Sequence, residues 1–270
     1  MSDTLNLTFT KSDGTVVSIS GPLSNLTVTE TPVPPVVPPV VPPVAVTGAP
    51  VIPTTATIVD MLTDTPPWQM NHDAGTPGSS TGTTKWPTTA PDGSPCRMFQ
   101  MTLTAHGGEI YHKCVKKDAS MFRNYCYESE EFSPDWSNVQ NEEKDIEQID
   151  AHGNKLDMAT QEAGGSNTEE VTGKPKGWTQ TIVKGVDPSK RAPNVWHLIR
   201  KYFKNNGDAT VTYQGVEIDG KYMPINLTLN DTKASNWSNN DLNFQYQFDG
   251  KSSGSVQTTI YTRKLNVYCW

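Results

Sequence analysis

The segment Asn141-Glu142-Glu143-Lys144-Asp145-Ile146-Glu147-Gln148 holds the most concentrated chemistry in the chain. Read as a strand, it points Glu143, Asp145 and Glu147 to one face, about 6.6 to 7 Å apart per two-residue step. Three like charges on one face repel, so at least one carboxyl is expected to keep its proton unless a cation sits among them. Two carboxyls so arranged perform glycoside hydrolysis, one as nucleophile and one as general acid. The surrounding composition offers a second reading. Residues 128–170 carry 13 Asp and Glu against two Lys, and a solvated or calcium-binding acidic surface gives the same string.

Two further segments show polar groups on a strand face. In Asn243-Phe244-Gln245-Tyr246-Gln247-Phe248 the aromatics form the core face, and Asn243, Gln245 and Gln247 look outwards. In Trp196–Phe203 neither face is cleanly apolar, so both sides are expected to be covered. Amides, an indole and a guanidinium suit hydroxylated ligands through hydrogen bonds and ring stacking. Trp196, Arg200, Asn243, Gln245 and Gln247 are therefore the candidate glycan-binding residues, lining one concave face with Glu143, Asp145 and Glu147. A merely solvated amide face is the alternative. His72-Asp73 and His112 stand alone without further ligands at metal spacing, so no metal site is expected. No phosphate-binding, dinucleotide or nucleophile-elbow signature occurs, and no cofactor is expected.

The elements that must position these residues follow from composition. The chain of 270 residues has 33 Thr, 20 Gly and 21 Pro, with only 19% charged residues. Many β-branched residues and turn formers argue for strands, and candidate strands arrive every ten to fifteen residues from Arg97 to Tyr268. No convincing amphipathic helix separates them, which is the pattern of an antiparallel sandwich. A net charge of −7 removes the electrostatic reason to bind nucleic acid or an anionic membrane. No apolar run approaches the length of a membrane-spanning helix. The four cysteines have no metal-type spacing, and a hairpin around Lys117–Ser120 would set Cys114 opposite Arg123 rather than Cys126, so four reduced, mostly buried thiols are expected.

Composition divides the chain into three. Residues 1–30 read as a small β element, with Leu5, Leu7 and Phe9 alternating against polar residues and Val16 to Ile19 returning after a turn. Such a piece is too small to fold alone. Leu5, Leu7, Phe9, Val16 and Ile19 are its candidate docking residues. Residues 31–53 hold nine of the 21 prolines and read as a polyproline II spacer of up to roughly 70 Å. Residues 54–270 form the head. No basic, apolar or cleavable leader opens the sequence.

Several stretches of the head carry a resemblance. Trp68 with His72-Asp73-Ala74-Gly75-Thr76-Pro77-Gly78, Gly107–His112, Ser137–Asn141, Asn194–His197, Val211–Gln214 and Tyr261–Trp270 resemble concanavalin A-like lectin/glucanase (LamG-like) jelly rolls, over roughly residues 65–270. The E-x-D-I-E spacing is similar to that of laminarinase-type retaining glycosidases. The resemblance implies a two-sheet antiparallel jelly roll. If the chain is an enzyme, it implies Glu143 as nucleophile, Asp145 as electrostatic partner and Glu147 as acid/base. Two positions depart from the pattern: Lys144 stands where the enzymes carry an apolar residue, and Arg263 where an Asp is usual. This superfamily mixes lectins, hydrolases, lyases and inert modules, so the fold does not settle activity.

The order of small element, stiff spacer and head looks like a phage appendage. The expectation is a virion-surface protein, a capsid decoration or head fibre. It would dock on a capsid or other virion protein through residues 1–30, cluster as a homo-oligomer and display a head that binds cell-surface glycan without cleaving it.

Overall fold

Strand-forming residues between Gly, Pro, Asn and Asp turns dominate the chain, and the computed structural model is correspondingly all-β. It describes residues 4–10, 16–22, 27–31, 48–63, 68–71, 81–103, 111–116, 119–173, 177–230, 242–250 and 256–270. Chain contacts divide it into two compact units, Met1–Val44 and Ala45–Trp270. The described residues 48–53, read from sequence as the end of the spacer, group with the head. Most of the proline-rich segment lies outside the described residues.

The first unit is a three-stranded sheet of β1 (Thr4–Thr10), β2 (Val16–Pro22) and β3 (Thr27–Thr31), paired in that order. The register sets Leu7 opposite Ile19 and Ile19 opposite Val28, with Phe9 opposite Val17. Leu7 and Val28 remain 51% and 59% exposed, while Val17 is buried. Val16 pairs with Thr10 and Thr31, so it leaves the apolar set it was expected to join. The side chains of Phe9 and Val16 lie outside the described residues.

The second unit is an antiparallel two-sheet sandwich of the jelly-roll kind. In chain order its strands are β4 (Thr57–Asp60), β5 (Gln69–Asn71), β6 (Thr81–Thr89), β7 (Pro95–Leu103), β8 (Tyr111–Lys116), β9 (Asn124–Phe132), β10 (Val139–Ile149) and β11 (Lys155–Ala163). These are followed by β12 (Thr168–Gly173), β13 (Gly177–Lys184), β14 (Trp196–Asn205), β15 (Thr210–Ile218), β16 (Lys221–Asn230), β17 (Leu242–Gly250) and β18 (Val256–Cys269). One sheet runs β13-β12-β11-β10-β17-β8-β5; the other runs β16-β15-β14-β9-β18-β7-β6, with β4 added beside β18.

The facing sides bury an apolar core. Phe244, Tyr246, Phe248, Ile146, Leu156 and Met158 come from the first sheet, and Phe99, Tyr125, Tyr127, Phe203, Tyr213, Ile260 and Val267 from the second. Phe99 and Tyr246 meet edge-on at 5.4 Å across the gap, a favoured aromatic geometry.

Two expectations fail here. Tyr111–Lys116 and Asn124–Phe132 do not form a hairpin: β8 pairs with β5 and β17, whereas β9 lies in the other sheet between β14 and β18. Residues 81–89, ahead of the first strand expected at Arg97, form edge strand β6, where Pro87 removes no ladder bond the sheet needs. Cys96 and Cys126 are free thiols, and Cys96, Cys126 and Cys269 are all buried. Among the described residues no helix is long and apolar enough to cross a membrane.

Candidate functional site

Strand β10 separates its two sides as the alternation requires. Glu142, Lys144 and Ile146 pair with Phe248, Tyr246 and Phe244 and face the other sheet; Glu143, Asp145 and Glu147 pair with Gln247, Gln245 and Asn243 and face outwards. The register then extends the outward row. Glu143 lies opposite Gln161 of β11, Gln161 opposite Glu170 of β12, and Glu170 opposite Gln180 of β13. The result is a continuous line Gln247-Glu143-Gln161-Glu170-Gln180 across five strands. At about 4.8 Å per strand it spans about 19 Å.

Amide and carboxylate alternate along this line and bond to each other. Gln247 Nε2 donates to Glu143 Oε2 at 2.9 Å and Gln161 Nε2 to Glu170 Oε2 at 2.8 Å. Flanking pairs repeat the motif: Gln245 Nε2 donates to Glu147 Oε1 at 3.0 Å, and Asn141 Nδ2 to Asp249 Oδ2 at 2.8 Å. On β13, Val183 is buried while Trp178, Gln180 and Ile182 are exposed, so the indole of Trp178, 37% exposed, borders the outward row. Gln161, Glu170, Trp178 and Gln180 were not anticipated. Each sits in a locally unremarkable string, and only strand pairing assembles them.

The carboxyls are not equivalent. Asp145 and Glu147 are 4% and 2% exposed, whereas Glu143 is half-buried. Burial, then the charges of Glu143 and Asp157, push the Asp145 carboxyl well above the usual carboxylate range. Its Oδ1 is buried without a hydrogen-bond partner. Asp145 is thus the carboxyl of the three whose charge is most disfavoured, in the direction that like charges on one strand face require.

Trp196 and Arg200 do not join the amides. They lie on β14 in the other sheet, with Arg200 on the side opposite the buried residues Ile199 and Phe203. The Arg200 guanidinium is buried between Glu128 and Glu217, with Nε donating to Glu128 Oε2 at 2.8 Å. The Trp196 indole donates to Asp92 Oδ2 at 2.6 Å and lies under the Arg263 guanidinium at 4.5 Å. Alternation told which residues share a strand face, not which sheet the strand enters. Asn243, Gln245 and Gln247 do share a face with Glu143, Asp145 and Glu147, but Gln245 and Gln247 are buried against those carboxylates rather than solvated.

A second polar assembly, unanticipated, lies between the sheets. Glu142 and Lys144 of β10, Glu162 of β11, Glu169 of β12, Glu131 of β9 and Lys201 of β14 are all buried. Arg191, just after a 3-10 turn at Pro188–Lys190, inserts its guanidinium among them, 2.9 Å from Glu131 and 2.5 Å from Glu142, and also bonds Glu162. Lys144 bridges Glu142 and Glu131, the latter at 3.3 Å. Lys201 Nζ meets Glu162 at 3.0 Å and Glu169 at 2.6 Å. Burial pushes Glu131 up, but Lys144 and Arg191 outweigh it and hold that carboxyl low. For Glu142 and Glu169 burial wins, and both are raised.

The loop bearing Arg191 is tied down by His197, whose Nδ1 lies 2.8 Å from Asp219 Oδ2 and whose Nε2 lies 3.0 Å from the Ala192 carbonyl. Both partners only accept, so both ring nitrogens donate, and the Asp219 bond raises the imidazole above its ordinary value. Among the described residues no group of three or more His, Cys, Asp or Glu has metal-holding geometry. His72, Asp73 and the His112 side chain lie outside the described residues.

No protein-family model matches the chain, and no curated protein matches it. Solved structures with a similar path include the cellulose induced protein Cip1, at 11% identity over 76% of this chain and 92% of that one, TM-score 0.43. The carbohydrate-binding module CBM66 from Bacillus subtilis matches at 8% identity over 78% and 98%, TM-score 0.38. The Bacillus licheniformis β-glucanase matches at 13% identity over 79% and 97%, TM-score 0.38. At such low identities and TM-scores these likenesses carry no argument, and the site is read from its own geometry.

Proposed function

We propose that the chain is a non-enzymatic display protein of a virion surface, a capsid decoration or head fibre, whose head holds a cell-surface glycan across the outward face of the seven-stranded sheet. The observation that carries the reading is the line Gln247-Glu143-Gln161-Glu170-Gln180 with Trp178 beside it. Glu143, Glu170 and Gln180 reach solvent and supply donors and acceptors for successive hydroxyls, the buried Gln247 and Gln161 hold the two carboxylates in place, and an exposed indole supplies a stacking surface for the apolar face of a sugar ring. Binding without cleavage is favoured because Glu147, the group that would protonate a leaving oxygen, is 2% exposed and bonded to Gln245. A general acid must reach the substrate. The separate N-terminal unit, with Leu7 and Val28 exposed on one apolar register set, supports docking on a virion protein and clustering as a homo-oligomer. Clustered heads turn weak sugar binding into avidity.

The test is a glycan panel read for both retention and new reducing ends, together with a chain lacking residues 1–30. Retention without cleavage is expected, as is loss of co-sedimentation with particles on deletion. Undiminished recovery of the truncated head on particles would remove the docking claim.

One observation favours a second reading, a retaining glycoside hydrolase acting on a β-glucan or exopolysaccharide. Glu143 is the most open of the three β10 carboxyls, and burial and neighbouring charge raise Asp145 beside it. On that reading Glu143 is the nucleophile, and new reducing ends appear with the native chain and vanish with Glu143→Gln.

A further inference from the structure

We propose that the Lys201 amine and the Glu169 side-chain carboxyl condense to an amide, a covalent staple joining the two sheets through the core. The pair sits where such a bond would do most: β14 belongs to one sheet and β12 to the other. Lys201 Nζ lies 2.7 Å from Oε1 and 2.6 Å from Oε2 of Glu169. Bonded to both oxygens, the amine is held in direct contact with the carboxyl group, the proximity such a step needs. Both side chains are buried, so the released water leaves for bulk solvent and the amide is shielded from hydrolysis.

The balance of charge in the cluster supplies the reactive forms. Four carboxyls, Glu131, Glu142, Glu162 and Glu169, face three cations, Lys144, Arg191 and Lys201. An isolated buried charge is expensive, so a neutral cluster carries one carboxyl as the acid. Burial raises Glu169 despite Lys201 beside it, which fits that role. With Glu169 as the acid, the Lys201 ammonium passes a proton to the Glu162 carboxylate and becomes the neutral amine from which condensation proceeds, and Glu162 ends as the protonated carboxyl of the cluster.

The neighbours fit the step. Thr160 Oγ1 donates to Glu169 Oε1, where charge builds as the amine attacks. Glu162 Oε1 lies 3.0 Å from Lys201 Nζ and can pass that proton to the departing hydroxyl while taking the next one from the nitrogen. The Nζ–Cδ bond forms, the bond from Cδ to Oε2 breaks, and one water leaves. Nothing is oxidised or reduced, and no co-reactant is needed. Lys144 is placed differently. Its nearest partner Glu142 is two residues away on the same strand, where an amide would join nothing the backbone does not already join, and Glu131 of the other sheet stands farther off at 3.3 Å.

Mass spectrometry of the denatured full chain tests the proposal. The native chain is expected one water lighter than the Lys201→Arg chain after allowing for the substituted atoms, with a proteolytic fragment linking Lys201 to Glu169. Glu162→Gln, which keeps side-chain size, is expected to retain the extra water while unfolding cooperatively. Equal corrected masses for native and Lys201→Arg chains would overturn the proposal, as would a water deficit mapped to other residues. Complete linkage in Glu162→Gln would remove Glu162 from the step.

Discussion

Replacing Arg191 by Ala tests whether the inter-sheet charges are desolvated. Arg191 is 6% exposed on its side chain and contacts Glu131, Glu142 and Glu162, none of which reaches solvent. Without it, four carboxyls face two lysines, so neutrality requires one more bound proton than in the native chain. A carboxyl of ordinary pKa near 4.3, held protonated at pH 7, costs about 3.7 kcal/mol, at about 1.4 kcal/mol for each pH unit above that value. This agrees with the roughly 3 to 5 kcal/mol lost when one partner of a buried ion pair is removed, a large part of a typical domain's stability. The sign follows from proton linkage. The folded variant binds a proton that the unfolded chain has released at pH 7, so the deficit grows with rising pH and shrinks on acidification. At pH 5 it should fall to about 1 kcal/mol. Urea unfolding of both chains at pH 5, 6 and 7 reads the difference directly. A deficit below about 1 kcal/mol at pH 7, or one that does not change with pH, would refute the reasoning.

Three other perturbations have defined outcomes. His197 is raised by its bond to Asp219, so its contribution is complete below the unfolded value near 6.5 and is lost as pH rises through the raised folded value; His197→Gln should flatten stability against pH between 6 and 8 in urea titrations. A Cβ at Gly215 would meet the Tyr222 hydroxyl and ring at 2.5 to 2.6 Å, so Gly215→Val should cost about 1 to 3 kcal/mol in the same assay. Trp178→Ala should weaken glycan binding about tenfold, on the order of one stacking contact, while the chain still unfolds cooperatively; an unaltered affinity by calorimetry would remove Trp178 from the site.

The strands were legible because β-branched alternation and turn residues are local signals, and the faces were legible because a strand has period two. Lys144 on the core side and Phe244, Tyr246 and Phe248 in the core follow from that parity alone. The line from Gln247 to Gln180 was hidden because it depends on the pairing of five strands spread from residue 139 to residue 250. Strand β12 carries a weak local signal, since Thr168–Gly173 has two adjacent glutamates where a half-buried strand is expected to alternate. Trp196 and Arg200 were assigned to the wrong sheet for the same reason. The inter-sheet ions were unreadable because charged residues are almost always exposed, and only their mutual contacts make burial tolerable.

The central claim, that sugar lies along the Gln–Glu line without being cut, is most directly tested by NMR of the glutamine side-chain amides during titration with a retained oligosaccharide. Shifts of the Gln161, Gln180 and Gln247 amides, with the sugar recovered at full length, are the expected result. Shifts confined to other glutamines, or recovery of shortened sugar, would contradict it.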